Sequence, residues 1–204
     1  MKRFLRTHFA PHFAPPAAPL VRPKKPGAYD GGKYPGERVQ IDVKYVPRIC
    51  LYGEKLYQYT LVDEYSRWCY REIHTEHSEY VSSLFLRNAV KAAPFNIHAV
   101  QTDNGHEFTS ALFGRNRLEL TRFEQSLKEL GIQYRRIRVG TPKHNGRVER
   151  QYGLDMQRFY KHQKFTSLDD AMQKVDTYNA WSNTRIKTCL NFRSPLQLLS
   201  DVAS

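Results

Sequence analysis

The sequence lacks the long apolar runs and the paired cysteines that mark several large classes of protein. It contains no run of 18 apolar residues, so it offers no candidate for a transmembrane helix. Its cysteines, Cys50, Cys69 and Cys189, are odd in number, widely spaced and without a CxxC pair, which argues against a disulfide framework and a structural zinc site. We therefore expect a protein without a membrane partner in a reducing compartment, cytoplasmic or, in a bacterial source, associated with the nucleoid.

Acidic residues are also scarce. The 204 residues include 20 acids against 32 lysines and arginines, which gives a formal charge of +12 and a pI of about 9.7. A balance of this kind favours a polyanionic partner, for which nucleic acid is the first candidate. The alternative is a basic surface that serves only solubility, but the local gathering of positive charge between Arg135 and Arg150 argues against it.

The N-terminal segment has no acid before Asp30 and no uninterrupted apolar stretch like that of a secretion signal. Its prolines between residues 11 and 19 would break the amphipathic helix of a transit peptide. We expect residues 1–36 to form a proline-rich basic arm or linker. One principal domain should follow over residues 37–165, with residues 166–204 as its C-terminal helical extension.

Strand patterns dominate the first half of this domain. In VQIDVKYV, apolar and polar residues alternate with the period of a strand that buries one face, and Asp42 lies on the polar face. LYQYTLVDEYSRWCYREI is rich in β-branched and aromatic residues, which predicts an antiparallel meander of three strands over residues 39–73. A further strand beginning near Ile97 should end at Asp103, because Asn104-Gly105 signals a turn.

Helical patterns dominate the remainder. Ser78 is the predicted N-cap of a helix that continues to Ala93, and Gly131 should end a second, short helix. IQYRRIRV then has the pattern of a fifth strand. Ser167, followed three residues later by Asp170, indicates a capping box at the start of a later helix.

The helix between these elements carries a candidate functional residue. Asn145 is its predicted cap, and Glu149 lies in its first turn at the edge of the buried face. The predicted apolar stripe consists of Val148, Tyr152, Met156 and Phe159. The order of all elements predicts a mixed α/β layer fold.

Three acids, Asp42, Asp103 and Glu149, therefore lie on rigid elements: the middle of a strand, the end of a strand and the start of a helix. A metal site needs such support. Taken one at a time, however, each carboxylate is more often a solvated surface group, and the spacing alone does not overturn that alternative.

Four segments, taken in order, resemble the catalytic core of retroviral integrases and of insertion-sequence transposases of the DDE type. They are VQIDVKYV, LVDEYSRW, QTDNGHEF and TPKHNGRVER. The resemblance runs over about residues 37–199 and includes the Thr-Pro step before the helix and the downstream SPLQLL. It implies a ribonuclease-H-like α/β fold, with a mixed five-stranded sheet flanked by helices and Asp42, Asp103 and Glu149 as its catalytic, metal-binding triad.

The implied activity is that of a polynucleotidyl transferase that cleaves DNA strands and transfers them. The resemblance implies DNA as the partner, both element ends and target, and a homo-oligomer assembled on it. Carboxylates suit Mg²⁺ or Mn²⁺ because these hard cations prefer oxygen ligands. With two ions, one activates the attacking water or 3′-hydroxyl and the other stabilises the leaving oxygen, so each acid is expected to be a ligand and not a covalent nucleophile.

The basic residues around the predicted helix start are candidates for contacts with DNA phosphates. They are Arg135, Arg136, Arg138, Lys143, His144, Arg147 and Arg150. Each of them alone could equally be part of a solvated surface, and His144 could instead cap the helix or pack against the domain. The prediction of DNA contacts rests on the cluster as a whole, because the basic residues surround the single acid of TPKHNGRVER.

Two features depart from the family pattern. The 45 residues between Asp103 and Glu149 exceed the usual spacing, and we assign the extra length to TSALFGRNRLELTR, since lengthening a loop costs little. Residues 1–36 are too short and too rich in proline for the helix-turn-helix region with which such transposases recognise element ends. The sequence thus leaves open a truncated, catalytically silent remnant that only binds DNA, and a ribonuclease-H-type nuclease.

Overall fold

The computed structural model describes residues 31–51, 53–110, 119–137 and 145–203. They form five strands and five α-helices: β1 (Val39–Tyr45), β2 (Tyr57–Asp63), β3 (Cys69–His74), α1 (Glu79–Ala92), β4 (Ala99–Thr102), α2 (Arg122–Glu129), β5 (Gln133–Arg136), α3 (Gly146–Arg158), α4 (Leu168–Thr184) and α5 (Pro195–Ala203). The predicted three-stranded meander and the order of the later elements are confirmed. None of the helices within these ranges is both long enough and apolar enough to cross a bilayer.

The five strands form one mixed sheet in the order β3-β2-β1-β4-β5. The β3, β2 and β1 strands are antiparallel neighbours, whereas β4 pairs parallel with both β1 and β5. In the parallel pair at the centre, Val39 lies opposite Val100 and Gln40 opposite Gln101. Continuing this register by two residues brings Asp42 of β1 beside Asp103, the residue that follows β4.

Helices cover both faces of the sheet. On one face, α1 and α2 pack on the sheet through a core that includes Ile41, Leu61, Phe85, Val100 and Phe123. On the other face, α3 and α4 pack over a second core that includes Val46, Leu56, Ile73, Phe159 and Val175. The result is a three-layer α/β arrangement in which every strand except the edge strand β5 is largely buried.

The described end of the predicted N-terminal arm lies against this domain. Gly32 N donates to Glu64 Oε2 at 3.2 Å, and Gly36 N donates to Asp63 Oδ1 at 3.0 Å. Gly36 has a φ of +77°, and a Cβ at this position would lie 1.9 Å from the carbonyl oxygen of Asn96. The chain enters β1 at a place that only glycine fits, which fixes the start of the central strand.

The buried face of α3 differs from the predicted apolar stripe. Met156, which the stripe included, is 36% exposed, whereas Gln151 and Asp155 are buried. Apolar periodicity missed these two positions because a buried polar residue is satisfied by partners elsewhere in the chain. The partner of Asp155 is Arg71 of β3, and Gln151 Nε2 donates to Asp155 Oδ1 at 2.9 Å.

Arg71 and Asp155 form a fully buried ion pair between the sheet and α3. Arg71 Nε lies 2.7 Å from Asp155 Oδ2, and Arg71 Nη2 donates to Asp155 Oδ1 at 2.8 Å. The remaining guanidinium nitrogen, Nη1, donates to Asn179 Oδ1 and Ser182 Oγ of α4, both at 3.1 Å. Tyr178 also donates to Asp155 Oδ1 at 3.1 Å. The network therefore joins β3, α3 and α4 with its charges paired.

We expect Asp155→Ala to destabilise the domain by about 3–5 kcal/mol, because it leaves the buried guanidinium of Arg71 without a counter-charge. Urea unfolding of the full chain measures this. The matched control is Asp201→Ala, which breaks the exposed ion pair between Arg193 and Asp201 and should change the free energy of unfolding little. Equal losses in the two variants would contradict the prediction.

Candidate functional site

The three predicted acids come from three adjoining elements. Asp42 lies in the middle of β1 and is only 4% exposed. Asp103 follows the last residue of β4 and is partly buried, and Glu149 lies exposed in the first turn of α3. Since β1 and β4 are parallel neighbours and α3 packs on β1 and β2, all three acids belong to one end of the central strands.

The pKa of Lys44 is affected by all three acids. Its ammonium lies 2.8 Å from Asp42 Oδ2. Partial burial lowers the pKa of Lys44, but the contact with Asp42 and the negative charges of Asp42, Asp103 and Glu149 raise it above its ordinary value. The charges of all three carboxylates thus act on one ammonium, although their oxygens are not gathered within 4.8 Å of one another in the described part of the chain.

The Asp42 carboxyl group is in an environment that disfavours its negative charge. Burial raises the pKa of Asp42, and the charge of Asp103 adds to this effect, while Lys44 opposes it. The contact with Lys44 does not have hydrogen-bond geometry, and Asp42 Oδ2 is buried without a hydrogen bond from any described residue. A buried carboxylate oxygen of this kind is a suitable donor for a hard divalent cation.

The turn after β4 holds Asp103 in place. Asp103 Oδ1 accepts a hydrogen bond from Gly105 N at 3.0 Å, which closes the predicted turn. Asn104 Nδ2 donates to the carbonyl oxygen of Ile137 at 3.0 Å, so the turn is also attached to the segment after β5. Asp103 is thereby fixed from two sides.

The start of α3, and with it Glu149, is held by Gln40 of β1. Gln40 Oε1 accepts hydrogen bonds from Arg147 N at 3.0 Å and Val148 N at 3.1 Å, and Gln40 Nε2 donates to Glu64 Oε1 at 2.7 Å. Asn145 occupies the N-cap position as predicted, but its side chain makes no capping hydrogen bond. A residue distant in sequence satisfies the helix N-terminus instead.

Gln40 and Lys44 are the functional residues that the sequence analysis missed. Both lie two positions from Asp42, so the three side chains share one face of β1. Their spacing was visible in VQIDVK, but the alternation was interpreted as the polar, outer face of the strand. In the structure this face is covered by α3, and Gln40 is fully buried.

The predicted DNA-binding residues are only partly brought together. Arg135 and Arg136 lie on the edge strand β5, and both are exposed. Arg138, Lys143 and His144 lie outside the described residues.

Arg147 and Arg150 are exposed on α3. At about 100° per residue, Arg147 and Glu149 point to nearly opposite sides of the helix. Arg147 in fact lies near Arg67: burial lowers the pKa of Arg67, and the charge of Arg147 lowers it further. The helix thus separates an acidic side, facing Lys44, from a basic side.

The family models and the curated relative that match this chain all belong to one family. Two models, each described as an integrase core domain, match residues 32–142 and residues 130–195. A curated relative, the putative integrase ORF3 of Spiroplasma virus SpV1-C74, is 25% identical over 173 residues, which cover 81% of this chain and 48% of the relative. The chain therefore spans about half the length of that protein.

Solved structures share the fold. The catalytic core domain of BIV integrase has a TM-score of 0.61 at 15% identity, covering 82% of this chain and 96% of that one. A chain of the simian T-cell lymphotropic virus intasome, in complex with PP2A regulatory subunit B56 gamma, has a TM-score of 0.64 at 17% identity, covering 83% of this chain and 56% of that one. The HTLV-2 integrase catalytic core domain in complex with magnesium has a TM-score of 0.58 at 16% identity, covering 81% and 97%. The predicted ribonuclease-H-like fold is confirmed.

We expect Gln40→Met to destabilise the domain by about 1–3 kcal/mol, because the first N–H groups of α3 and the Glu64 carboxylate lose a buried partner. The control is Asn145→Ala at the nominal cap, where no side-chain capping bond is lost. Urea unfolding compares the two variants. A larger loss in Asn145→Ala than in Gln40→Met would show that Gln40 does not hold the helix.

Proposed function

Because the chain belongs to the integrase core domain family, the domain of integrases and transposases, we propose that it cleaves DNA strands and transfers them to target DNA. The observation that supports this proposal is that Asp42 and Asp103 lie beside each other on adjacent parallel strands and that their charges, with that of Glu149, all raise the pKa of Lys44. Each acid is supplied by a different rigid element, and the three together form a donor set made only of carboxylates. We propose that they are the catalytic residues and the metal ligands.

The residues present suit Mg²⁺ or Mn²⁺, and we propose two such ions as the cofactor. Asp42 Oδ2 is buried without a hydrogen bond, and the charge of Asp103 adds to the energetic cost of its ionised form. A divalent cation relieves both penalties, since it supplies positive charge and takes oxygen ligands. When bound, a pair of such ions activates the attacking oxygen and stabilises the leaving one. The magnesium complex of the HTLV-2 core supports this choice.

The surrounding residues position the acids. Gln40 fixes the start of α3 and so the direction of Glu149, while the Asx turn to Gly105 fixes Asp103. Lys44 balances part of the negative charge of the acids and keeps Asp42 from being surrounded by negative charge alone. A preorganised set of this kind needs little rearrangement when DNA arrives.

The exposed arginines of α3 and β5 support DNA as the partner, with element ends and target as the substrates. Arg147 and Arg150 occupy a side of α3 that leaves Glu149 free to face the acids, so phosphates can be held beside the acids without pairing directly with them. We further propose that the chain acts as a homo-oligomer on DNA. The HTLV-2 core has been solved in trimeric and dimeric forms, the latter at a TM-score of 0.51 and 18% identity.

A catalytically silent remnant that only binds DNA is the second candidate. Such a remnant keeps the fold and the exposed arginines of α3 and β5 but has no metal-dependent turnover. Both candidates are expected to bind DNA, but only the first is expected to show catalytic turnover.

We expect Arg147→Gln combined with Arg150→Gln to flatten the salt dependence of DNA binding. Each lost phosphate contact should lower the slope of log K against log salt by about 0.9. Fluorescence anisotropy with a duplex oligonucleotide at several salt concentrations measures this slope. The control is Arg87→Gln combined with Arg122→Gln on α1 and α2, on the opposite face of the sheet, which removes the same net charge. Equal slopes in the two double variants would remove the proposed role of the α3 arginines.

We expect Glu149→Gln to abolish strand cleavage and joining while DNA binding persists, because the change keeps the size of the side chain but deletes the charge that holds a hard cation. The assay uses an oligonucleotide that carries the element end, with Mg²⁺ or Mn²⁺. Asp169→Asn, an exposed acid in the first turn of α4, is the matched control and should retain activity. Cleavage by Glu149→Gln would refute the triad, whereas DNA binding without turnover by the unmodified chain would identify the silent remnant.

A further inference from the structure

Two histidines and a glutamate form a cluster beside the three acids but separate from them. His77 lies between β3 and α1, while His106 and Glu107 belong to the turn that follows Asp103. One ligand atom from each of the three, a ring nitrogen or a carboxylate oxygen, lies within 4.8 Å of the other two. No other group of three or more such side chains in the described part of the chain comes together in this way.

Glu107 is in close contact with both histidines. His77 Nε2 lies 2.8 Å from Glu107 Oε1, and His106 Nδ1 lies 3.5 Å from Glu107 Oε2. His77 Nε2 and Glu107 Oε2 are both buried, and apart from these contacts within the cluster neither atom has a hydrogen-bond partner among the described residues. The Glu107 side chain is only 6% exposed, so water does not readily compensate for the missing partner.

A metal ion would satisfy all of these atoms at once. At bond lengths of about 2.0–2.1 Å and tetrahedral angles, ligand atoms lie about 3.3 Å apart. The two histidines lie 2.8 Å and 3.5 Å from different oxygens of Glu107, and the ligand atoms of all three residues lie within 4.8 Å of one another. Two imidazoles and one carboxylate are ligands that Zn²⁺ takes readily and Mg²⁺ does not. A set of three protein ligands also leaves a fourth position open.

An ion can reach the cluster from solvent. The rings of His77 and His106 stand edge to face with their centroids 5.0 Å apart, and both line a surface cleft of about 510 Å³. His106 is 61% exposed, so its ring can turn toward an ion while Glu107 stays fixed. Gly105 leaves room for the Glu107 carboxylate, because a Cβ on Gly105 would lie 2.4 Å from Glu107 Oε2 and would displace it.

We propose that His77, His106 and Glu107 bind a zinc-class divalent ion at a site distinct from the carboxylates of Asp42, Asp103 and Glu149. The ion would attach the loop before α1 to the turn after β4. Because the same turn carries Asp103 three residues before His106, occupancy would stiffen the support of Asp103. The two sites share no ligand, and they prefer different metals.

Titration of the full chain with Co²⁺ tests this proposal, since Co²⁺ replaces Zn²⁺ and reports imidazole coordination through visible absorption bands. We expect the bands to appear with one equivalent, to be displaced by Zn²⁺ and to persist in millimolar Mg²⁺. His106→Asn removes an exposed ring, so its fold should be intact, and it should weaken Co²⁺ binding by more than about tenfold. Unchanged binding in this variant would overturn the proposal.

Three controls make the result specific. His74→Asn removes the histidine of a similar pair, with His74 Nε2 2.7 Å from Glu72 Oε2 but no third ligand, and should leave the bands unchanged. His8→Asn combined with His12→Asn tests a histidine pair with ligand-like spacing near the start of the sequence and should also leave them unchanged. Asp42→Asn should keep the bands, which separates this site from the proposed active site. Loss of the bands in any of the three would contradict the assignment.

Gly105→Ala supplies a second, positional test. It retains all three ligands but places a methyl group against the Glu107 carboxylate, so Co²⁺ affinity should fall by more than about tenfold. Gly153→Ala in α3, where a Cβ meets nothing within 4 Å, is the matched control and should bind normally. Equal affinities in these two alanine variants would show that the ion does not bind at Glu107.

Discussion

The buried ion pair between Arg71 and Asp155 is the interaction on which the geometry of the site depends. An unpaired charge in this core would cost several kcal/mol, about 3–5, so α3 can pack on the sheet only with Asp155 turned toward Arg71. This condition fixes the rotation of α3 about its own axis. Glu149 is six residues earlier on the same helix, and its direction follows from that rotation. A structural charge pair thus determines where a candidate catalytic carboxylate points.

One face of β1 then connects the helix to the acids. Gln40, Asp42 and Lys44 occupy alternate positions, and each makes a different contribution: a cap for α3, a buried carboxylate and the positive charge that balances it. The three roles depend on strand geometry alone, because residues two apart point the same way. A polar face that contacts a helix in this manner is better described as part of the site than as part of the surface.

Features that depend on residues close together in sequence could be predicted, and features that depend on residues far apart in sequence could not. Strands, helices and the turn at Asn104-Gly105 depend on residues close in sequence, and the predictions for them were confirmed. The residue whose side chain caps α3 and the buried position of Asp155 were not predicted, because Gln40 and Arg71 lie far from α3 in sequence and periodicity carries no information about distant partners. The three acids were proposed from whole motifs, whereas Lys44 could not be singled out, because only the fold places its ammonium within range of the charges of Asp103 and Glu149.

The parallel register of β1 and β4 has a consequence for how this sequence can vary. Asp42 and Asp103 are each two residues beyond the pair formed by Gln40 and Gln101. A single inserted residue between either partner and its acid would turn that carboxylate to the opposite face of the sheet, where α1 and α2 pack. By contrast, the 45 residues between Asp103 and Glu149 contain α2 and β5 with the segments that join them, and the register of β1 and β4 does not depend on their number. Natural length changes in related chains should therefore be found in the second interval and be absent from those two-residue steps.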